Sequence, residues 1–472
     1  MTTVRCIVGT GLLIPKTIPD IVLKKIRVKL TYPNPSYLKN KNGKNNICYA
    51  RDYRNYLYVP RGTIGAVTKI AKEHNLVIEL KHSTSYETFR IDYSGVFQKL
   101  RQYQKSCVRK MIKQQQGYIC IPCGGGKTFM GAVAMVISKQ RGIVVVHTKD
   151  LVKQWCETFR SLGHKKLRRL VLYNRKIRPL DEGEICVATV QKLSRAIDRG
   201  EAKDFMSSSG AIIMDEAHHC PADMFQKVFH SSSALYRWGM TATPQRPDGF
   251  GFVLPMMLGK RIFSMKVSDL VGGGFLMSPK IVPVLLRPTN KTTSKKVDIM
   301  SKVSSLSMNT DRNFVLSMLA IKAAYRNRKS LMLVPRVSQA KALDIFLKSK
   351  GIRSVYVTGD RRPKEREMVM AKFRKGHYDI IIATQLADEG LDLPILDTLI
   401  QTSAGKSSGK AIQRVGRVMR KYNGKKQPLV LEIVDDYPVF RRQWDARRVA
   451  YLDAFGINCE KMTLPCGSYK YF

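Results

Sequence analysis

Acidic residues are scarce in this chain: Asp and Glu number 36 against 82 Lys and Arg, a formal net charge of +46 over 472 residues. Such an imbalance draws a molecule towards polyanions, with nucleic acid the leading candidate and an anionic membrane surface the other. Long apolar runs are missing too. None approaches the roughly 18 to 20 residues that span a bilayer, so no membrane-crossing helix is expected. The N-terminal MTTVRCIVGTGLLIPKT lacks a basic leader and a small-residue cleavage site, which argues against export. The ten cysteines form no regular framework. Only Cys120-Ile-Pro-Cys123 has metal-like or redox-like spacing, and no second such pair exists to complete a four-thiolate zinc site. Reduced thiols, an intracellular protein and no zinc are therefore expected. What remains is a soluble globular composition, 44% hydrophobic and 25% charged, at a length that calls for two to four domains.

Residues 1–95 carry none of the chemistry-bearing motifs found later. Short segments rich in β-branched and aromatic residues (Val22–Tyr32, Tyr56–Val59, Leu76–Leu80, Phe89–Tyr93) alternate with Asn/Gly/Lys-rich turns. That pattern predicts a small β-rich module. Its cations Lys24, Lys25, Arg27, Lys29, Lys39, Lys41 and Lys44 suit a nucleic-acid backbone. Tyr32, Tyr37, Tyr49 and Tyr53 could stack on bases, although packing a small core is the commoner use of strand aromatics. Pro60-Arg61-Gly62 reads as a tight turn.

Beyond Gly117 the pattern changes. Apolar runs of strand length alternate with helix-length segments, at Tyr118–Ile121, Ile143–Val146, Ile185–Ala188 and Ala211–Met214. The alternation resumes at Ser330–Val334, Ser354–Thr358, Asp379–Ala383, Thr398–Gln401 and Leu429–Ile433. It predicts an α/β chain of two parallel-sheet blocks in tandem, residues 96–270 and 271–436, joined near Gly272–Pro288. Residues 437–472 form a tail with a predicted helix. One face of that helix carries Phe440, Trp444, Val449 and Leu452; the other carries Arg441, Arg442, Arg447 and Arg448.

The chemistry concentrates in a few motifs. YICIPCGGGKT reads as a strand, a glycine loop and the start of a helix. Gly124, Gly125 and Gly126 permit tight curvature, Lys127 can reach the β and γ phosphates of a nucleotide, and Thr128 can place a hydroxyl on Mg²⁺. Ile121 stands where the usual eight-residue pattern has its first glycine. In AIIMDEAH an apolar strand ends in two acids, Asp215 for the Mg²⁺ shell and Glu216 to take a proton from attacking water. Helical spacing puts Gln413, Gly416, Arg417 and Arg420 on one face, where the arginines could act as fingers on a γ-phosphate. A loop of glycines alone is a weak signal, and acids at a strand end often cap a helix. Both motifs in order, each following a strand, outweigh those bland readings. His219 and Cys220 are expected to pack rather than to bind metal.

Taken in order, IPCGGGKT, DEAH, TATP (241–244) and QRVGRVMR (413–420) resemble motifs I, II, III and VI of the superfamily 2 helicases. Leu100-Arg-Gln-Tyr-Gln104 resembles the adenine-reading signature, His147-Thr-Lys-Asp-Leu151 with Gln154-Trp155 resembles motif Ia, and Ala188-Thr-Val-Gln191 resembles motif Ic. Leu333-Val-Pro-Arg336 and Ala383–Asp392 resemble motifs IV and V. The likeness spans residues 97–436, and within the superfamily it is nearest to DNA translocases of the XPB and UvsW type. The compact length, the basic β-rich N-terminal module and the closing Asp435-Asp-Tyr437 with its Arg-rich helix resemble small phage and large-DNA-virus relatives, branch-migration helicases and the poxvirus transcript-release helicase among them.

The resemblance implies two RecA-like lobes, ATP with Mg²⁺, and single-stranded, forked or branched DNA, or RNA, as partner. It assigns Arg101, Gln104, Pro122, Gly124, Gly125, Gly126, Lys127, Thr128, Gly390 and Asp392 to the nucleotide. Thr128 and Asp215 go to the metal, and Glu216, Asp215, Lys127, Gln413, Arg417 and Arg420 to catalysis. His218, Thr241 and Thr243 would couple the site to movement. Thr148, Lys149, Thr189, Gln191, Arg336, Thr358 and Thr384 would contact nucleic acid. The expected activity is an ATP-dependent DNA helicase or translocase separating strands or migrating branches in repair, recombination or replication. A transcript-release translocase, an RNA helicase and a nucleic-acid-binding ATP switch remain the alternatives. A chain encoded by a phage or virus and acting in a host cell fits the same likeness.

Overall fold

The structure is a computed structural model that describes residues 2–35, 37, 45–84, 86–89, 95–169, 177–219, 223–242, 249–287, 298–359, 361–384, 393–403, 405 and 407–459. The chain forms two compact units, Met1–Ile121 with Gly126–Ser264, and Met265–Phe472 with Pro122–Gly125. No helix among the described residues is long and apolar enough to cross a membrane.

The first unit holds two large sheets and a two-stranded ladder, Thr31–Pro33 antiparallel to Asn46–Cys48. Near the N-terminus a five-stranded mixed sheet runs in the order Arg51–Tyr53, Tyr56–Pro60, Gly11–Pro15, Thr2–Val8, Leu76–His82. Thr2–Val8 pairs parallel with Leu76–His82, and the other pairings are antiparallel. One face alternates into a core of Val4, Cys6, Val8, Leu12, Ile14, Leu57 and Val59, the period-two burial of a one-sided sheet. Two helices, Asp20–Lys29 and Ile64–Glu73, cover it.

The first of these helices departs from the sequence reading, which takes Val22–Tyr32 for a strand. Val22, Leu23 and Ile26 are buried at helical spacing, while Ile21 and Val28 are exposed. β-branched residues favour strands only weakly, and tertiary burial of an amphipathic stripe overrides the preference.

The second sheet of this unit has seven parallel strands in the order Leu167–Arg169, Ile185–Thr189, Gly142–Val146, Ala211–Met214, Tyr236–Thr241, Gln116–Cys120, Arg261–Ser264. Three of its central strands, Gly142–Val146, Ile185–Thr189 and Ala211–Met214, are buried along their whole length. Helices on both faces demand that pattern of a parallel sheet.

The N-terminal sheet is pinned to this larger one by buried arginines. Arg61, 3% exposed, donates to the carbonyls of Gly9, Ala234 and Leu235 and, through Nε, to Gln116 Oε1 at 2.9 Å. Arg237, 1% exposed, donates to the carbonyls of Thr10 and Phe229. The Pro60-Arg61-Gly62 stretch is therefore an anchor as well as a turn. Tyr32 stacks on Phe252 with centroids 4.2 Å apart, and Tyr49 meets the same ring edge-on, so both tyrosines serve packing.

The second unit holds six parallel strands in the order Lys280–Leu286, Leu429–Asp435, Thr398–Gln401, Ser330–Val334, Ile380–Thr384, Ser354–Val357. Lys280–Leu286 lies in the stretch that the sequence offers as a joint. Its Pro283 is tolerated because the strand is at the sheet edge. Arg312 and Asp435 form a buried bidentate pair at 2.7 and 3.1 Å. The C-terminal helix, Pro438–Phe455, buries Trp444, Arg447, Tyr451 and Phe455. Val449 and Leu452, which the sequence reading groups on one face with Trp444, are 55% and 48% exposed, whereas Trp444 is buried. The helix is turned so that Arg447 faces Glu432, a fully buried carboxylate that needs a counter-charge.

Candidate active site

The strand Gln116–Cys120 lies second from one edge of the seven-stranded sheet and delivers the chain into the glycine loop. Gly124 (φ 83°) and Gly126 (φ 81°) take left-handed backbone that a side chain resists. Gly125 N–H donates to the Pro122 carbonyl at 3.1 Å. Gly126 caps the helix Lys127–Ile137, and a Cβ there would meet Gln104 Nε2 at 2.5 Å. Gln104 is itself buried, its Oε1 accepting from the Arg101 backbone N–H at 2.9 Å. Thus the adenine-type signature and the glycine loop adjoin. Lys127 is 9% exposed and donates to the Ile121 carbonyl at 3.1 Å. Thr128 follows it in the first helical turn. A helix N-terminus presenting N–H groups beside a desolvated ammonium is a site for anionic phosphate.

Asp215 follows the strand Ala211–Met214 and is 3% exposed. Its Oδ2 accepts from Trp155 Nε1 at 2.8 Å and its Oδ1 from the Glu216 N–H at 2.9 Å. Glu216 sits at φ 50°, a conformation that costs a non-glycine residue about 1–2 kcal/mol. Glu216 Oε2 lies 3.4 Å from His218 Nδ1, and the same nitrogen lies 3.2 Å from the hydroxyl of Thr241. One imidazole therefore links the acid to the end of the neighbouring strand Tyr236–Thr241.

The two acids are driven apart in proton affinity. Burial, then the neighbouring Glu216 charge, raises Asp215 to about 6 against the pull of Trp155 and Lys127. Burial also opposes ionisation of Glu216. The His218 imidazole 3.4 Å away and the charges of Lys127 and His147 outweigh it and bring Glu216 down to about 2. An ionised Glu216 is what a proton acceptor requires. A divalent cation opposite Asp215 would favour its charged form too.

The remaining candidates of the first unit gather at the carboxyl edge of the same sheet. Thr148 caps the helix Lys149–Ser161, its hydroxyl accepting from the Leu151 N–H at 3.3 Å. Lys149 is exposed. Thr189 ends its strand and is 7% exposed, while Gln191 Nε2 donates to the His147 carbonyl at 3.3 Å.

In the second unit Arg336, Thr358 and Thr384 stand at the carboxyl ends of three neighbouring strands. Arg336 donates to Ser304 Oγ at 2.6 Å. Thr358 and Thr384 are 1% and 6% exposed, and the Thr358 hydroxyl finds no partner among the described residues. The helix Ser408–Val418 carries Gln413 and Arg417, half-buried like Arg420 just beyond it. Leu276 bridges to Arg420, and the Met277 N–H donates to the Met419 carbonyl at 2.8 Å. Thr243, Gly390, Asp392 and Cys220 lie outside the described residues, as does the His219 side chain.

Two contributors escape a motif reading. Trp155 stands in the sequence only as part of a motif, with nothing to mark it as the donor to a carboxylate 60 residues away. Arg414 lies between two assigned residues of its helix but is 4% exposed, on the buried side. Its neighbours differ in exposure by helical phase, and that phase is the one signal that could have separated them.

Two family models match the chain, the type III restriction enzyme res subunit over residues 97–246 and the helicase conserved C-terminal domain over 312–422. Together with the geometry above, they define an ATP-hydrolysing enzyme: the chain belongs to the superfamily 2 helicases. Within that superfamily it is XPB-like. It is 26% identical to the DNA 3'-5' translocase XPB2 of Sulfurisphaera tokodaii, over 73% of this chain and 84% of the relative. A helicase-named protein of a Sulfolobus islandicus filamentous virus is 25% identical over 77% of this chain and 69% of its own length. Among solved structures, the DNA-bound type ISP restriction-modification enzyme LlaBIII aligns over 76% of this chain and 30% of that one, at 16% identity and a TM-score of 0.55. That last likeness concerns the fold.

Proposed function

We propose that this helicase uses ATP with Mg²⁺ to move along DNA, separating strands or migrating branches. The observation that carries the proposal is the acid pair at the carboxyl end of the strand Ala211–Met214: Glu216 Oε2 3.4 Å from His218 Nδ1, and Asp215, 3% exposed, held by Trp155. Lys127 and the glycine loop bind phosphate, with Arg101 and Gln104 against the base. Thr128 and Asp215 would hold Mg²⁺, which supplies neutralising charge to the phosphates when bound. Glu216 accepts the proton of the attacking water. Gln413, Arg417 and Arg420 stabilise charge on the transferred phosphoryl group, a role worth about 10³–10⁵ in rate elsewhere. His218 and Thr241 pass the change at Glu216 to the strand Tyr236–Thr241. Thr148, Lys149, Thr189, Gln191, Arg336, Thr358 and Thr384 read phosphates without reading sequence.

DNA is favoured over RNA by the relative from Sulfurisphaera tokodaii, a DNA 3'-5' translocase, and the charge of +46 suits either polymer. Steady-state ATP turnover with no nucleic acid, single-stranded DNA, duplex DNA, a four-way junction and single-stranded RNA tests the reading at one fixed salt concentration. Stimulation by DNA, abolished in Lys127→Ala, is expected. Stimulation by RNA alone would overturn the choice of polymer, and a flat response would overturn the motor.

A further inference from the structure

The family matches end at residue 422, and the C-terminal helix Pro438–Phe455 lies beyond them. Two of its side chains enter a closed polar chain. Glu432, 0% exposed, sits within the strand Leu429–Asp435. Tyr451 donates its hydroxyl to Glu432 Oε1, and Gln401 Nε2 donates to the same oxygen at 2.8 Å. Arg447 Nη2 stands 3.1 Å from Glu432 Oε2, a charge contact without an aligned N–H.

From there the chain reaches the helix Ser408–Val418 at two points. Arg447 Nη1 donates to the carbonyl of Gly405, in the loop that enters that helix, at 3.1 Å. Gln401 Oε1 accepts from Arg414 Nη1 at 3.5 Å. Arg414 lies on the buried side of the helix, one residue past Gln413 and three before Arg417.

Stability gives no reason for a fully buried carboxylate in this strand, second from the sheet edge. A buried ion pair is often no more stabilising than apolar residues of the same volume. What the polar chain does provide is a fixed direction, because hydrogen bonds constrain angle where apolar packing constrains little beyond volume. We infer that Arg447 and Tyr451 are positioning residues for ATP turnover, holding through Glu432, Gln401 and Arg414 the helix that carries Gln413 and Arg417. The inference rests on the proposal that these two side chains, with Arg420, act on the nucleotide.

Misplacing a reacting group by an ångström can lower a rate about 10²-fold. Arg447→Met is accordingly expected to lower kcat for ATP about ten- to a hundredfold, with KM within about twofold. Arg447→Lys keeps a cation opposite Glu432 and regains part of the loss. Tyr451→Phe removes one hydroxyl and gives a smaller loss of the same kind. Trp444→Phe loosens the same helix, keeps an aromatic ring beside Arg447 and Tyr451, changes no member of the polar chain and serves as the control for stability. Where Arg447→Met fails to fold, Tyr451→Phe and Arg447→Lys carry the comparison.

A kcat loss in the Arg447 and Tyr451 variants but not in Trp444→Phe at a similar melting temperature bears the inference out. Equal losses in all of them, or undiminished kcat in Arg447→Met while Arg417→Ala has lost turnover, overturn it. Full turnover in Arg417→Ala would overturn the reading of the nucleotide site, and this inference with it.

Discussion

Asp215 and Glu216 adjoin in the chain yet meet opposite electrostatics, and that asymmetry gives the sharpest residue-level predictions. Glu216→Gln keeps the shape and loses the proton acceptor. ATP turnover should fall by about 10²–10⁴-fold, the usual contribution of a general base, while ATP affinity is retained. Single-turnover hydrolysis beside equilibrium binding of a fluorescent nucleotide separates the two. Trp155→Phe withdraws the donor to Asp215 Oδ2. An unsatisfied buried acceptor typically costs about 1–3 kcal/mol, so the urea midpoint should drop and turnover with it. An unchanged midpoint would mean that the indole hydrogen bond contributes nothing. The acids themselves are legible in AIIMDEAH. Their inequality is not, because it comes from the burial of Asp215 behind Glu216 and from the His218 and His147 rings beside Glu216, an arrangement that only the fold creates.

At the scale of elements, the N-terminal sheet is held to the first α/β sheet by Arg61 and Arg237 acting on carbonyls at the end of the helix Asp223–His230 and beyond it. Carbonyls at a helix C-terminus attract cations. Arg61→Ala strands at least three carbonyls and should destabilise by about 3 kcal/mol or more, from the cost of buried unpaired groups. Calorimetry against Lys69→Ala, a change elsewhere on the N-terminal module, checks it.

His230 lies in the same junction, 2.8 Å from the Tyr58 hydroxyl. Burial and the charges of Arg237 and Arg51 lower it to about 4. The unfolded chain takes up this proton near pH 6.5 and the folded one only near pH 4, so the unfolded state binds more protons between them. The contribution of His230 is therefore complete above pH 6.5 and is lost as pH falls towards 4. The melting temperature of wild type should decline more steeply than that of His230→Gln across this window. Parallel declines would contradict it.

Most strands of the α/β sheets could be read from apolar runs, whereas Asp20–Lys29 and Lys280–Leu286 could not. One is a helix built of strand-forming residues, and the other an edge strand carrying Pro283. In each case tertiary position outweighs local preference.

For the whole molecule, charge is the dominant property. A protein of +46 that neutralises six or more phosphates should lose about 10³-fold or more in DNA affinity between 50 and 200 mM salt, through counterion release. ATP turnover without nucleic acid should change far less. A shallow salt slope would mean that the cations face elsewhere. Charge alone is legible only as far as a polyanion, and the expectation of DNA comes from the resemblance of the motifs. If ATP turnover drives movement, the protein displaces strands or obstacles. A labelled forked duplex is incubated with protein and ATP, beside a partial duplex bearing a streptavidin block. ATP-dependent strand separation or ejection of the streptavidin is expected, both absent in Glu216→Gln. DNA-stimulated ATP turnover with neither outcome would contradict movement and leave a nucleic-acid-gated switch.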